Sequence, residues 1–149
     1  MEHTQGNYTI STDKNRLDIA LIHHFLSVQS YWAIGIPLDT VKKSIDNAMC
    51  FGVYSGDQQV GFARVITDWA TIAYLADVFI LPEHRGQGLS KWLVETITTH
   101  PELQGLRRWM LGTSDAHTLY EKYGFKPVAR PQIWMEKHNP DVYKKLSAE

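Results

Sequence analysis

Apolar residues recur along this chain at two periods, and the switching between them predicts the order strand, two helices, three strands, helix, strand, helix, strand. Residues 7–11 are a short strand candidate. Ser11, Thr12 and Asp13 then offer capping side chains before a helical stretch whose apolar face is Ile19, Ile22, Phe25 and Leu26. After Pro37, the spacing of Leu38, Val41, Ile45 and Ala48 predicts a second short helix, with Asp39 or Thr40 at its start. Residues 49–54 and 59–68 read as strands joined by a hairpin turn at Ser55-Gly56-Asp57-Gln58. A third run, residues 71–81, carries apolar side chains on both parities, which suits a strand covered on both faces within a mixed sheet sandwiched by helices. Beyond Pro82, Leu89, Trp92, Leu93, Thr96 and Ile97 keep the spacing of a packed helical face to about His100. Residues 107–113 predict another strand, Ser114 or Asp115 caps a short helix ending at Gly124, and residues 132–137 predict a last strand. Pro140 is placed to open a short final helix.

Length and composition narrow the class. No repeat, low-complexity stretch or Pro/Gly/Ser-rich linker divides the 149 residues, so one domain, 1–149, is expected. An apolar share of 44% and a charged share of 21% are those of a globular chain, and no apolar run approaches the roughly 20 residues that span a bilayer. Residues 1–6 lack the basic and apolar regions of a secretory leader, and Cys50 has no second cysteine to pair with, so a cytoplasmic location is expected. The net charge of −1 gives no general attraction to nucleic acid or to a membrane surface, and any anionic ligand has to be held locally.

A local anion site is legible at Val78-Phe79-Ile80-Leu81-Pro82-Glu83-His84-Arg85-Gly86-Gln87-Gly88-Leu89-Ser90, where a buried strand runs through a glycine-bearing turn into an amphipathic helix. The N–H groups of a first helical turn have no intrahelical partners, and the helix dipole adds positive charge there. Gly86 and Gly88 remove the β-carbons that would hold a phosphate away from the backbone, and Arg85 adds a charge-assisted contact. Neither the P-loop pattern nor the dinucleotide pattern fits, because Lys91 stands where the latter needs its third glycine.

The stretch resembles the acyl-CoA signature [Q/R]-x-x-G-x-[G/A] of the GNAT superfamily of N-acetyltransferases. Arg85, Gly88 and Ser90 occupy its three specified positions, Ser90 replacing the usual glycine or alanine. Downstream, Ala116-His117-Thr118-Leu119-Tyr120-Glu121-Lys122-Tyr123-Gly124-Phe125 looks like that family's A-x-x-[LF]-Y-x-x-x-G-F segment, with Thr113 where an asparagine is often found. The resemblance runs from the first strand to Met135. It implies an α/β fold with a mixed, mostly antiparallel central sheet flanked by helices on both faces, and acetyl-CoA as acyl donor. It further implies contacts from Val78, Phe79, Ile80, Arg85, Gly86, Gln87, Gly88, Leu89, Ser90 and Thr113, with pantetheine lying along the strand like an added strand. Tyr120 inherits the role of protonating the departing thiolate, and the acceptor is a small-molecule or peptide amine.

Other roles stay open on the residues. Tyr120 lies at helical spacing with Ala116, Leu119 and Tyr123, as a packing tyrosine also would. Asp77 is the sole carboxylate of its strand and is either the base for the amine or a structural carboxylate bonded to backbone or to Arg64, with water then taking the proton. The resemblance places the acceptor near the segment between the first two helices and nearby strand ends. There Tyr31, Trp32, Asp68 and Trp69 would suit a cationic amine with an apolar body, or else pack as ordinary core. His23 and His24 diverge by about 100° on a helix and the other histidines are scattered, so no metal is expected. The basic pairs Lys42-Lys43, Arg107-Arg108 and Lys144-Lys145 read as solvated faces rather than nucleic-acid sites. A homodimer is compatible with the sequence, which does not determine oligomeric state. The rival readings are a non-catalytic acyl-CoA-binding or sensing module, and a transferase using a longer acyl chain or a protein N-terminus.

Overall fold

The strands lie side by side in chain order: β1 (Glu2–Gln5), β2 (Tyr8–Ser11), β3 (Met49–Ser55), β4 (Gln58–Thr67), β5 (Ile72–Ile80) and β6 (Arg108–Met110). The first four neighbouring pairs are antiparallel, and β5–β6 is parallel. The sheet is therefore mixed and mostly antiparallel. The structure is a computed structural model describing residues 1–147 and side chains through Lys144. Ala148 and Glu149, at the end of the expected 1–149 domain, lie outside the described residues, as does the side chain of Lys145 in the last basic pair.

Helices cover both faces because the strands bury alternate side chains in two separate cores. On one face Phe51, Val53, Val65 and Leu75 pack with Leu89, Leu93, Val94 and Ile97 of α3 (Leu89–Thr98) and with Tyr120 of α4 (His117–Glu121). On the other, Cys50, Phe62 and Phe79 meet Ile22 of α1 (Ile19–His24) and Val41 and Ile45 of α2 (Leu38–Asp46). Phe25 stacks on Phe79 with centroids 3.9 Å apart and rings 10° from parallel, which joins the segment after α1 to the strand that carries Asp77. Helix α5 (Val142–Ser147) follows the long exposed segment after α4.

Two features of β5 shape what lies beside it. Its pairing with β6 covers only Ile72, Ala73 and Tyr74, so among the described residues no strand lies along that edge further on. In addition, Asp77 and Val78 together oppose Ala63 of β4, a bulge that puts Asp77 at φ 55. The first half of β5 alternates, with Ala73 and Leu75 buried and Ile72 and Tyr74 exposed, and burial on both parities begins only toward Phe79 and Ile80.

Several local expectations are corrected. Residues 132–137 form no strand: Pro131–Ile133 is a 3₁₀ turn and the chain beyond runs without a partner, because β6 is three residues long and leaves too short an edge to pair with. The expected strand 107–113 shortens to β6 because residues 113–115 turn back on Thr113 Oγ1. Asp18 caps α1 by accepting from Leu21 N–H, while Asp13 caps the 3₁₀ turn Lys14–Arg16, and Phe25–Gln29 continues α1 as a π-helix. Helix α2 starts after Pro37 with no side-chain cap, so neither Asp39 nor Thr40 has that role. Ala116 precedes α4 without a side-chain cap, and Thr113 rather than Ser114 or Asp115 accepts its N–H. Strand β1 has no apolar residue, which is why periodicity missed it.

Candidate active site

The parting of β5 from β6 opens a cavity of about 570 Å³. Its floor is Leu75–Val78 with Arg64, one wall is Leu111–Ala116 with Tyr120, and the opposite wall is Tyr31, Trp32, Ala33 and Ile36 from the connection before α2. Tyr74 and Tyr143 complete the lining.

Asp77 organises the floor. Its Oδ2 accepts from Arg64 Nε at 2.8 Å and its Oδ1 from Trp32 Nε1 at 2.9 Å. The left-handed backbone at Asp77 is uncommon for a residue with a side chain, and the bulge plus these two bonds hold it there. Arg64 is thus committed to a carboxylate, and Trp32 is fixed in orientation with its ring edge-on to Tyr31 at 5.0 Å. The Tyr31 hydroxyl accepts from Ser114 N–H at 2.9 Å and ties the two walls together. The Ser114 side chain first, and then this backbone bond, hold the Tyr31 phenol below its ordinary pKa.

Tyr120 is 8% exposed, and its ring packs edge-on to Phe125 at 5.9 Å. No described group hydrogen-bonds to its hydroxyl, which is not sealed in the core, and the residue lines the cavity. Burial pushes its pKa up to about 12, so the phenol keeps its proton at neutral pH.

A second hollow, about 380 Å³, is lined by Ile80, His84, Arg85, Gly86, Gly88, Leu89, Ser90, Lys91 and Leu119. Gly86 and Gly88 sit at φ 79 and 77, where a β-carbon would be strained, and nothing lies within 4 Å of the position a β-carbon would take. The first intrahelical bond of α3 runs from Trp92 N–H to Gly88 O, so the N–H groups of Leu89, Ser90 and Lys91 have no partner within the helix. With Arg85 beside them, these groups suit a phosphate. Arg85 Nε also donates to Ile80 O at 2.9 Å, which joins the turn to the end of β5. The hollow and the larger cavity both lie along the unpaired edge of β5, Val78 lining one and Ile80 the other.

The sequence-derived residues therefore separate into groups. Tyr31, Trp32, Asp77, Val78, Thr113 and Tyr120 converge on the larger cavity, and Ile80, Arg85, Gly86, Gly88, Leu89 and Ser90 on the smaller. Phe79 turns its side chain into the core, leaving only its backbone at the edge. The side chain of Gln87 accepts from Tyr8. Asp68 and Trp69 line neither cavity. Asp68 Oδ2 accepts from the Thr71 hydroxyl at 2.6 Å and its Oδ1 from the N–H groups of Thr71, Ala70 and Ile72, bonds that hold the β4–β5 turn and keep the carboxyl well below the usual range, and Trp69 is exposed. Tyr74, Ser114, Asp115 and Tyr143 enter the lining without a sequence signal. Tyr74, an odd number of residues from Asp77, would face the other side of a regular strand and shares the cavity because of the bulge at Asp77, and Tyr143 arrives from the far end of the chain. Among the described residues no three His, Cys, Asp or Glu side chains converge as a metal ligand set.

A sequence model of the acetyltransferase (GNAT) domain matches residues 46–127. A Gibberella zeae protein named as a candidate acetyltransferase is 36% identical, the match covering 80% of this chain and 78% of that protein. The crystal structure of a candidate GNAT acetyltransferase from Xanthomonas campestris pv. campestris superimposes with a TM-score of 0.90 at 53% identity, over 94% of this chain and 99% of that one. A Clostridium acetobutylicum acetyltransferase solved with acetyl-CoA shares the fold, with a TM-score of 0.60 at 15% identity over 89% of this chain and 95% of its own.

Proposed function

The chain belongs to the GNAT acetyltransferases, acyl-CoA-dependent enzymes, and from that premise we propose that it passes the acetyl group of acetyl-CoA to the primary amine of a small molecule or peptide, with Tyr120 as the acid. The observation that carries the proposal is the Tyr120 hydroxyl, protonated, without a protein partner and lining the cavity that adjoins the anion-binding turn. Because that hydroxyl opens onto the cavity and no described side chain or backbone group holds it, its proton is available to a group bound there.

The residues present fit acetyl-CoA. The open space over Gly86 and Gly88, the N–H groups of Leu89, Ser90 and Lys91 that lack a partner within the helix, and the Arg85 side chain would hold the pyrophosphate. The unpaired backbone at Val78–Ile80 would take the pantetheine amides as a neighbouring strand does, which would bring the thioester into the cavity that Tyr120 lines. Thr113 lines the same passage. As the amine attacks, a C–N bond forms, the C–S bond breaks and the Tyr120 proton moves to sulfur. The burial that raises the Tyr120 pKa also disfavours a thiolate in the same cavity, so the proton still has reason to transfer. Asp77, or a water beside it, receives the amine's proton.

The acceptor side is aromatic, with Tyr31, Trp32, Tyr74 and Tyr143, while the cation of the lining, Arg64, is occupied by Asp77. We assign to it an amine with an apolar body and no carboxylate, its charge met by ring faces and by Asp115. The free, buried thiol of Cys50 is consistent with work in a reducing cytoplasm.

Calorimetric titration with acetyl-CoA is expected to show binding that Arg85→Ala combined with Gly88→Trp abolishes. Thiol release should depend on an added amine, and Tyr120→Phe should lower kcat about 10²-fold or more with the acetyl-CoA KM little changed. Acetyl-CoA binding without turnover by any amine in a broad panel would favour a sensing module instead. Full activity in Tyr120→Phe would remove the tyrosine from the chemistry.

A further inference from the structure

Tyr8 lies far in sequence from the anion-binding turn and reaches it directly. It opens β2 immediately after the Gly6-Asn7 turn, and its pairing with Ser55 anchors it to β3. The ring meets His84 edge-on at 5.8 Å, the hydroxyl donates to Gln87 Oε1 at 3.2 Å, and it lies 2.9 Å from His84 Nδ1. A tyrosine hydroxyl has one proton. With that proton on Gln87, the hydrogen of the second bond comes from Nδ1 of His84, and both bonds hold together.

His84 and Gln87 bracket Arg85 and Gly86, and Gly88 follows. The glycines leave this turn open, since nothing lies within 4 Å of the place a β-carbon would occupy on Gly86 or Gly88. Backbone bonds from His84 N–H to Leu81 O and from Arg85 N–H to Pro82 O hold its first residues, and two side-chain contacts add to them: Arg85 Nε on Ile80 O from one side and the Tyr8 hydroxyl on His84 and Gln87 from the other. An anion site made of backbone N–H groups works only when those groups already point at one place, because ordering a loose glycine turn on binding costs conformational entropy.

We propose that Tyr8 is a positioning residue for the donor site: by holding His84 and Gln87 it sets the turn from Gly86 to Ser90 in the arrangement that receives the pyrophosphate. This rests on the function proposed above. Tyr8 lines neither cavity, so its effect falls on donor affinity and not on the chemical step.

The test compares two donors in wild type, Tyr8→Phe, His84→Ala and the double variant: acetyl-CoA, and S-acetylpantetheine, which lacks the pyrophosphate and nucleotide. Tyr8→Phe keeps the ring and its packing. It is expected to raise the acetyl-CoA KM and Kd about three- to tenfold, the range of one neutral hydrogen bond. It should leave kcat and all constants for S-acetylpantetheine unchanged, and the double variant should bind acetyl-CoA no more weakly than the worse single variant. Unchanged acetyl-CoA affinity in Tyr8→Phe, or an equal loss with both donors, would overturn the inference and leave the proposed function standing. Failure of the wild-type protein to bind acetyl-CoA would take both down.

Discussion

Tyr54 is a fully buried side chain whose hydroxyl has no hydrogen-bond partner, and its position explains a neighbouring glycine. A β-carbon on Gly52 would run into that hydroxyl and come within 2.7 Å of the ring carbon Cζ, in a core that leaves the ring no room to withdraw. Arg16 covers the ring from 4.3 Å and would stack equally on phenylalanine. Tyr54→Phe is therefore expected to leave the melting temperature unchanged or raise it, since it removes a desolvated hydroxyl that bonds to nothing. Gly52→Ala should cost about 1–3 kcal/mol by overpacking. Because the hydroxyl is the closest obstacle, combining the two should recover part of that loss. Denaturant melts of the three variants check this, and strict additivity would show that the clash lies elsewhere. Site residues differ in how visible they are from sequence. Tyr120 was legible through its spacing from Gly124 and Phe125, whereas its free hydroxyl depends on what the fold leaves around it. Asp68 shows the converse, a carboxylate in a promising aromatic stretch that is consumed by three backbone N–H groups of its own turn.

Among the elements, long apolar periodicities were read correctly, as in β3, β4, β5 and α3, because each has enough core-facing residues to make its period plain. Short elements were not, since three or four residues carry no usable period. Strand β1 is entirely polar and exists by pairing with β2, a contact no local pattern announces. Residues 132–137 carry the composition of a strand but find no edge to join. Instead Trp134 lies under the Arg108 guanidinium at 4.7 Å, and Met135 is 96% exposed. Backbone amides of residues 134–137 are therefore expected to exchange with solvent far faster than those of β3 and β4, which have a paired strand on each side. Hydrogen exchange followed by mass spectrometry or NMR reads this directly. Protection of 134–137 comparable to β4 would mean that the segment is paired after all, with a second chain as the remaining donor of an edge.

At the scale of the whole molecule, the two cores bury acids that ionise only at alkaline pH. Burial raises Tyr54 and Tyr120 to about 12 and Cys50 to about 11. Each is held in its neutral, protonated form by folding, so the unfolded chain loses these protons first. The stabilisation is fully present below the unfolded values, about 8.5 for the thiol and about 10 for the phenols, and is lost as pH rises toward 12. The melting temperature is expected to fall by on the order of 10 °C between pH 8.5 and pH 11. Tyr54→Phe should flatten part of that fall, and a melting temperature independent of pH over this range would contradict the burial of all three groups. The sequence by itself determined the longer strands and helices through their apolar period, and the glycine-bearing turn and the resemblance that implies the mixed sheet through residues at fixed offsets, all of which are local properties. Only the tertiary structure decided that β5 and β6 part after Tyr74, that Asp77 is shared between Arg64 and Trp32, and that Tyr8 reaches His84. Each of these joins residues distant along the chain, and such contacts arise from how elements pack and where strand pairing stops, which no local spacing encodes.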